Sequence, residues 1–106
     1  MTSIGLLQLD PTVGDLHHNA MRLEMLATLA NDHGADVCVA TELAICGYPP
    51  RDLLLEHDFI QRSMEAALAI QSSVPLLVGT PLPSEDARSL PTNGVVRCGP
   101  EFTSVT

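Results

Sequence analysis

The sequence predicts an α/β fold in which one mixed β-sheet carries two helices on one side. Three observations lead to this prediction. Short apolar segments alternate with two segments of helical periodicity up to Thr80. The spacing of the first two strands fits a βαβ unit, and therefore parallel pairing through a right-handed crossover. Two further apolar segments flank a Gly-Pro turn, which indicates an antiparallel hairpin.

The first βα unit is predicted over residues 4–34. Residues 4–9 are nearly continuously apolar before an Asp-Pro pair, which is typical of a strand buried on both faces. Gly14 and Asp15 predict a turn and an N-cap, whose carboxylate accepts from free amides of the first helical turn. Gly34 offers the helix a C-cap. The apolar positions of this helix recur at steps of four and three, at Leu16, Ala20, Leu23, Ala27 and Ala30.

The second unit is predicted to begin with a strand over residues 36–40. A short helical turn over residues 51–55 precedes the second predicted helix, over residues 58–72. The apolar side of that helix is predicted to contain Phe59, Ile60, Met64, Ala66, Ala67, Leu68, Ile70 and Gln71.

The last part of the chain is predicted to contain strands only. Residues 74–80 form the third strand, with Pro75 tolerated near its start. Residues 81–91 contain three prolines and are interpreted as a surface loop. Residues 93–97 and 102–105 then form the two strands of the hairpin.

Composition narrows the possible partners. The chain has 106 residues, five arginines, no lysine and a formal net charge of −8, so it repels nucleic acid and anionic membranes. No apolar run reaches the roughly 18 residues of a membrane span, and no targeting segment is evident at the N-terminus. We therefore expect one cytoplasmic domain, or a piece of one, with no nucleic-acid or membrane partner.

The three cysteines do not predict a disulfide framework or a metal site. Cys38, Cys46 and Cys98 are odd in number and lack paired metal-ligand spacing, so they are interpreted as reduced thiols. Cys38 alternates with valines and is expected in the core, whereas Cys98 is expected in a turn, as at most an exposed thiol. Cys46 is better explained as a small residue under a turn than as a nucleophile.

The residues that indicate chemistry lie in positions 37–54, V-C-V-A-T-E-L-A-I-C-G-Y-P-P-R-D-L-L. An apolar strand reaches Glu42, and Pro49 and Pro50 then prevent the strand from continuing. Ligand sites of open α/β sheets gather at the carboxyl ends of strands, where a carboxylate can act as a general base. A solvated loop acid or a helix cap is the alternative interpretation of Glu42.

This stretch resembles the first catalytic motif of the nitrilase (carbon–nitrogen hydrolase) superfamily. The resemblance rests on residues 42–44, Glu-Leu-Ala, and on residues 46–54, Cys-Gly-Tyr-Pro-Pro-Arg-Asp-Leu-Leu. The second segment is most similar to the glutaminase domain of glutamine-dependent NAD synthetases. Residues 8–16, Gln-Leu-Asp-Pro-Thr-Val-Gly-Asp-Leu, and Asn19 resemble the opening strand and helix of that domain.

The resemblance implies a fold and a site. The fold is an incomplete nitrilase-type α-β-β-α sandwich, with residues 1–106 as the N-terminal portion of one carbon–nitrogen hydrolase domain, truncated before the family's lysine and cysteine. By resemblance, Glu42 matches the general base, Tyr48 lines the substrate pocket and Asn93 matches a family asparagine that makes a structural hydrogen bond. Thr41 departs from the proline usual before the base, and it fixes the backbone less.

The implied parent enzyme hydrolyses glutamine and passes ammonia to a separate synthetase domain that uses ATP and Mg²⁺ to form NAD. The resemblance also implies homo-oligomers. No cofactor or metal is expected in this chain, and the chain alone is expected to be inactive. Two alternatives stay open: a fragment of another nitrilase-superfamily amidase or carbamoylase, and a non-catalytic α/β module that binds a partner through an uncovered sheet face.

Overall fold

The structure, a computed structural model, describes residues 2–48, 53, 56–84, 91–100 and 104–105. Within these residues one five-stranded sheet carries two helices, and the strand order follows the chain order. The first three strands run parallel, and the last two pairings are antiparallel. The predicted mixed α/β sheet is therefore confirmed. The elements are β1 (Ile4–Leu7), α1 (Leu16–Asp32), β2 (Val37–Ala40), α2 (His57–Leu68), β3 (Leu76–Leu82), β4 (Thr92–Cys98) and β5 (Ser104–Val105).

The parallel pairing of β1 and β2 positions the candidate site. Ile4 pairs with Val37 and Leu7 pairs with Ala40, so both strands end at the same edge of the sheet. The loop that leads into α1 and the turn that follows β2 therefore begin side by side. This is the edge where ligand sites of open α/β sheets form.

The hydrophobic core lies between the two helices and one face of the sheet. The helices pack against each other and cover the same side of the strands. Removal of these apolar side chains from water is the main favourable contribution to the stability of such a fold. The best-buried core positions of the helices and strands include Leu23, Ala27, Phe59, Ala67, Cys38, Leu76, Val78 and Val96.

The opposite face of the sheet is open among the described residues. Ile4 and Leu6 of β1 are 60% and 73% exposed, and Val95 of β4 is 42% exposed. The prediction that β1 is buried on both faces is therefore wrong, because both helices cover the same side. The predicted uncovered sheet face is present.

Both helices differ in detail from their predictions. Asp15 occupies the N-cap position of α1 but makes no side-chain cap hydrogen bond. Helix α2 ends at Leu68, four residues before the predicted end, and Ile70 still reaches the core from the following turn. Its buried side includes Ser63, whose hydroxyl donates to the Phe59 carbonyl at 2.9 Å and so loses no hydrogen bond on burial.

Strand β3 extends through Pro81, which was predicted to lie in a surface loop. Pro81 pairs with Asn93 of β4, whereas β2 pairs with β3 only at Leu76 and Leu77. A residue without an amide donor is tolerated there, because β2 has already ended on that side of the strand. The predicted hairpin of β4 and β5 is confirmed.

Candidate functional site

Glu42 begins the turn that follows β2, at the carboxyl edge of the parallel strands. Its side chain is exposed, whereas the next five residues of the turn are buried. Leu43 has φ of 55°, in the left-handed region that non-glycine residues rarely adopt. The backbone therefore reverses sharply after Glu42, which keeps the carboxylate in solvent while the apolar residues beyond it enter the core.

The Glu42 carboxylate is held by a residue that lies two strands away in the same sheet. The Asn93 Nδ2 donates a hydrogen bond to Glu42 Oε1 at 2.6 Å. Asn93 lies in β4, and β3 is inserted between β4 and β2 in the sheet. The resemblance gives Asn93 a structural hydrogen bond without naming a partner, and the structure identifies that partner as the candidate base.

Gly79 of β3 lies directly beneath the same turn. A Cβ atom at this position would lie 2.9 Å from the Glu42 Cα and 3.0 Å from both the Leu43 amide nitrogen and the Thr41 carbonyl oxygen. All three atoms belong to the backbone, so they cannot rotate away. Sequence reasoning missed Gly79, and a glycine inside an apolar strand was the available signal for a close backbone approach.

Asn19 joins the two loops at this edge from within α1. The fully buried Nδ2 donates to the carbonyl oxygens of Thr12 and Ile45, both at 2.8 Å, and Oδ1 accepts from the Thr12 amide at 3.2 Å. All the polar atoms of this side chain are therefore used, as burial requires. Sequence analysis included Asn19 only as part of the family resemblance.

A second contact closes the same two loops. The Gly14 amide donates to the Cys46 carbonyl at 3.0 Å. Gly47 has φ of 85°, and a Cβ there would lie 2.7 Å from the Val13 Cα. A side chain at position 47 would therefore push the loops apart. The turn that begins with Glu42 is fixed at its far end by these contacts.

The cysteines do not provide an accessible nucleophile. The Cys46 thiol is buried and donates to the Gly47 carbonyl at 3.4 Å, and burial raises its pKa to about 11. Burial also raises the pKa of Cys38, which lies in the core as predicted. A thiol that stays protonated and lacks solvent access is a poor nucleophile. The assignment of Cys46 as a filler under the turn agrees with this geometry.

Cys98 differs from its prediction. It is the last residue of β4 and is fully buried, so the expectation of an exposed thiol in a turn is wrong. Its Sγ donates to the Ala67 carbonyl of α2 at 3.2 Å, and burial is the main cause that raises its pKa to about 11. The pairing of β4 with β3 carries Cys98 under α2, which a local turn prediction does not detect.

Tyr48 lies just beyond the buried turn and is 72% exposed. Its predicted part in substrate binding, like the catalytic part of Glu42, stays a prediction. Asp52, the two prolines before it and most of the predicted helical turn lie outside the described residues. Among the residues that the structure describes, no three metal-ligating side chains cluster, and no helix is long and apolar enough to cross a membrane.

No family model matches the sequence. The sequence is nevertheless similar to several curated proteins. A glutamine-dependent NAD(+) synthetase from Synechocystis is 41% identical over 91 residues, which cover 82% of this chain and 16% of that protein. A synthetase of the same name from Xylella fastidiosa is 42% identical over 82 residues, or 74% of this chain and 15% of that protein. The chain is a homologue of a segment of these synthetases. The chain thus spans about a sixth of the length of the relatives it matches.

Solved structures confirm the fold. The crystal structure of a glutamine-dependent NAD(+) synthetase from Cytophaga hutchinsonii superposes with a TM-score of 0.77 at 20% identity, covering 92% of this chain and 17% of that one. An amidase of the nitrilase superfamily from Nesterenkonia superposes with a TM-score of 0.74 at 18% identity, covering 92% of this chain and 38% of that one. The predicted nitrilase-type architecture is therefore confirmed for the described residues.

Proposed function

We propose that this chain is the N-terminal segment of a glutaminase unit of the nitrilase type, and that Glu42 is its general base. The observation that carries the proposal is the exposed Glu42 carboxylate at the carboxyl end of β2, with one oxygen held by Asn93. It lies in a chain that is homologous over most of its length to glutamine-dependent NAD(+) synthetases. A held, solvent-accessible carboxylate is suited to accept a proton.

The proposed chemistry is hydrolysis of the glutamine side-chain amide. The Glu42 carboxylate takes the proton of a cysteine thiol, the thiolate attacks the amide carbonyl, and a lysine stabilises the oxyanion that forms. The proton then leaves with ammonia, and water opens the thioester. The chain contains no lysine, and its three thiols are buried. The lysine and the nucleophile therefore come from residues outside this chain.

The substrate, the domain that uses the ammonia, the cellular location and the assembly state are part of the same proposal. Glutamine is the substrate, and Tyr48, exposed beside the turn, lines its pocket. A separate synthetase domain uses the released ammonia with ATP and Mg²⁺ to form NAD. We also propose a cytoplasmic location and assembly into homo-oligomers. Of these two, only the assembly rests on the family resemblance.

A chimera tests the proposal. This chain replaces the matching segment of the Synechocystis synthetase, and NAD formation is measured with glutamine and, separately, with ammonium as nitrogen donor. We expect Glu42→Gln to abolish formation from glutamine and to leave formation from ammonium intact, because ammonium bypasses the glutaminase. Equal glutamine-dependent rates in the chimera and its Glu42→Gln variant would show that Glu42 is not the base.

The isolated chain provides a second test. We expect no ammonia release from glutamine, since the chain lacks the oxyanion-binding lysine and an accessible thiolate. Turnover that disappears in both Glu42→Gln and Cys46→Ala variants would contradict the assignment of the nucleophile to residues outside the chain.

The open sheet face supports a second candidate function. Ile4, Leu6 and Val95 are exposed on this face, and exposed apolar patches mark interaction sites in folded proteins. A non-catalytic module that binds a partner through this face would need neither Glu42 nor glutamine. The chimera separates the two candidates, because only the glutaminase segment restores glutamine-dependent synthesis.

A further inference from the structure

We infer that Asn93 is a positioning residue for Glu42, and that Gly79 provides the space in which this positioning is possible. The inference rests on the proposed function, since positioning has a catalytic meaning only if Glu42 is the base. Its direct support is the 2.6 Å hydrogen bond from Asn93 Nδ2 to Glu42 Oε1. This contact links the turn after β2 to a strand two places away in the sheet.

Strand register places these residues on one face. Asn93 lies directly opposite Pro81 in the antiparallel β3–β4 pair, and opposite residues point to the same side. Gly79 precedes Pro81 by two positions, so it faces that side as well. Val95, which pairs with Gly79, is exposed. The start of the turn at Glu42 therefore lies on the open-face side of the sheet, with Gly79 beneath it and Asn93 beside it.

The hydrogen bond between Asn93 and Glu42 is compatible with a role of Glu42 as a base. A carboxylate has two oxygens that can accept a proton, and Asn93 binds one of them, Oε1. The donor is a neutral amide, so it directs the carboxylate without placing a positive charge against it. A well-aimed base matters because a misplacement of about 1 Å can cost about a hundredfold in rate.

The contact also explains how the chain accommodates Thr41. The family resemblance leads us to expect proline before the base, where it would fix the backbone dihedral φ. Thr41 does not fix it. Instead, the close approach of Gly79 to the backbone of residues 41–43 and the hydrogen bond from Asn93 restrain the position of Glu42. Tertiary contacts thus supply the restraint that the local sequence lacks.

Side-chain NMR on the full 106-residue chain tests this inference without any activity measurement. The scalar couplings of the Glu42 side-chain protons report whether one rotamer is populated. We expect one dominant rotamer in the parent chain and averaged couplings in Asn93→Asp, which keeps the shape of the side chain but replaces the amide donor with an acceptor. Asn93→Ala should give the same averaging.

Asn31→Ala is the matched control. Asn31 is also exposed and also donates one hydrogen bond, to Ser73 Oγ at 3.1 Å. We expect this variant to leave the Glu42 couplings unchanged. Glu42 couplings in Asn93→Asp identical to those of the parent would overturn the inference, and so would equal averaging in the control.

Glu42→Ala tests the contact from the other side and does not alter β4. The Asn93 side-chain amide proton that donates to the carboxylate should shift upfield when its acceptor is removed. Unchanged Asn93 amide signals would contradict the inference even if the Asn93 variants failed to fold. If Glu42→Gln leaves the chimera active while the NMR result stands, then Asn93 orients an acid that is not the base, and only the proposed function fails.

Discussion

The two faces of the sheet differ although the same strands form both. On the covered face, Cys38, Leu76, Val78 and Val96 are fully buried beneath the helices. On the open face, Leu6 and Val95 remain exposed, and the Glu42 turn lies above Gly79. One face thus stabilises the fold, while the other carries the candidate chemistry. Because strand side chains alternate, a substitution can change one face and leave the other intact.

The largest expected effect is a difference in lost stability between the same substitution, Leu→Ala, on the covered face and on the open face. Leu76→Ala on the covered face should lower the free energy of unfolding by about 2–5 kcal/mol, through lost burial and the cavity left behind. Leu6→Ala on the open face should lower it by less than about 0.5 kcal/mol. Urea unfolding monitored by circular dichroism measures both. Similar losses at the two positions would contradict the assignment of the core to one face.

The next effect concerns the buried asparagine that joins the loops at the carboxyl edge. Asn19→Ala should cost about 1–3 kcal/mol of unfolding free energy, because the buried Ile45 carbonyl loses its donor and the partly buried Thr12 backbone groups lose their partner. Asn31→Ala, which removes one exposed hydrogen bond, should cost less than about 0.5 kcal/mol. The same urea experiment compares them, and equal costs would show that Asn19 does not hold the loops together.

A pH effect on stability is expected from two buried thiols, one in the turn after β2 and one at the end of β4. Burial raises the pKa of Cys46 and Cys98 from 9.0 to about 11 in the folded chain. Between pH 9 and 11 the unfolded state has released thiol protons that the folded state still holds, so stability present below pH 9 is lost as pH rises. Urea midpoints across this range should fall, and Cys46→Ala with Cys98→Ala should flatten the slope. A slope unchanged by both substitutions would contradict this account.

The smallest effect on stability is expected from a charge on the open face. Leu6→Glu should change the free energy of unfolding by less than about 0.5 kcal/mol and should reduce concentration-dependent self-association, because it interrupts an exposed apolar surface. Sedimentation velocity measures the association. Met25→Glu is the matched control, since Met25 is 68% exposed on α1. A larger reduction of self-association by Met25→Glu than by Leu6→Glu would show that the self-associating surface lies on α1.

The elements that were predicted correctly are those whose sequence pattern is local. The helical periodicity of α1 and the two apolar segments that flank the Gly-Pro turn predicted elements that the structure contains. Sequence reasoning failed at Cys98 and Pro81, where the outcome depends on which strand or helix lies alongside. Residues 41–48 combine both cases, because the end of β2 was predictable and the packing beneath the turn was not.

The amino-acid pattern was enough to predict the α/β class, the alternation of strands and helices, the uncovered sheet face and the place of Glu42 at the end of a strand. The folded structure alone shows that Asn93 holds Glu42 from 51 residues away and that Gly79 makes room for the turn. The reason is physical. Periodicity records which side of an element is apolar, whereas a contact between distant segments depends on strand order and register, which form only when the whole sheet assembles.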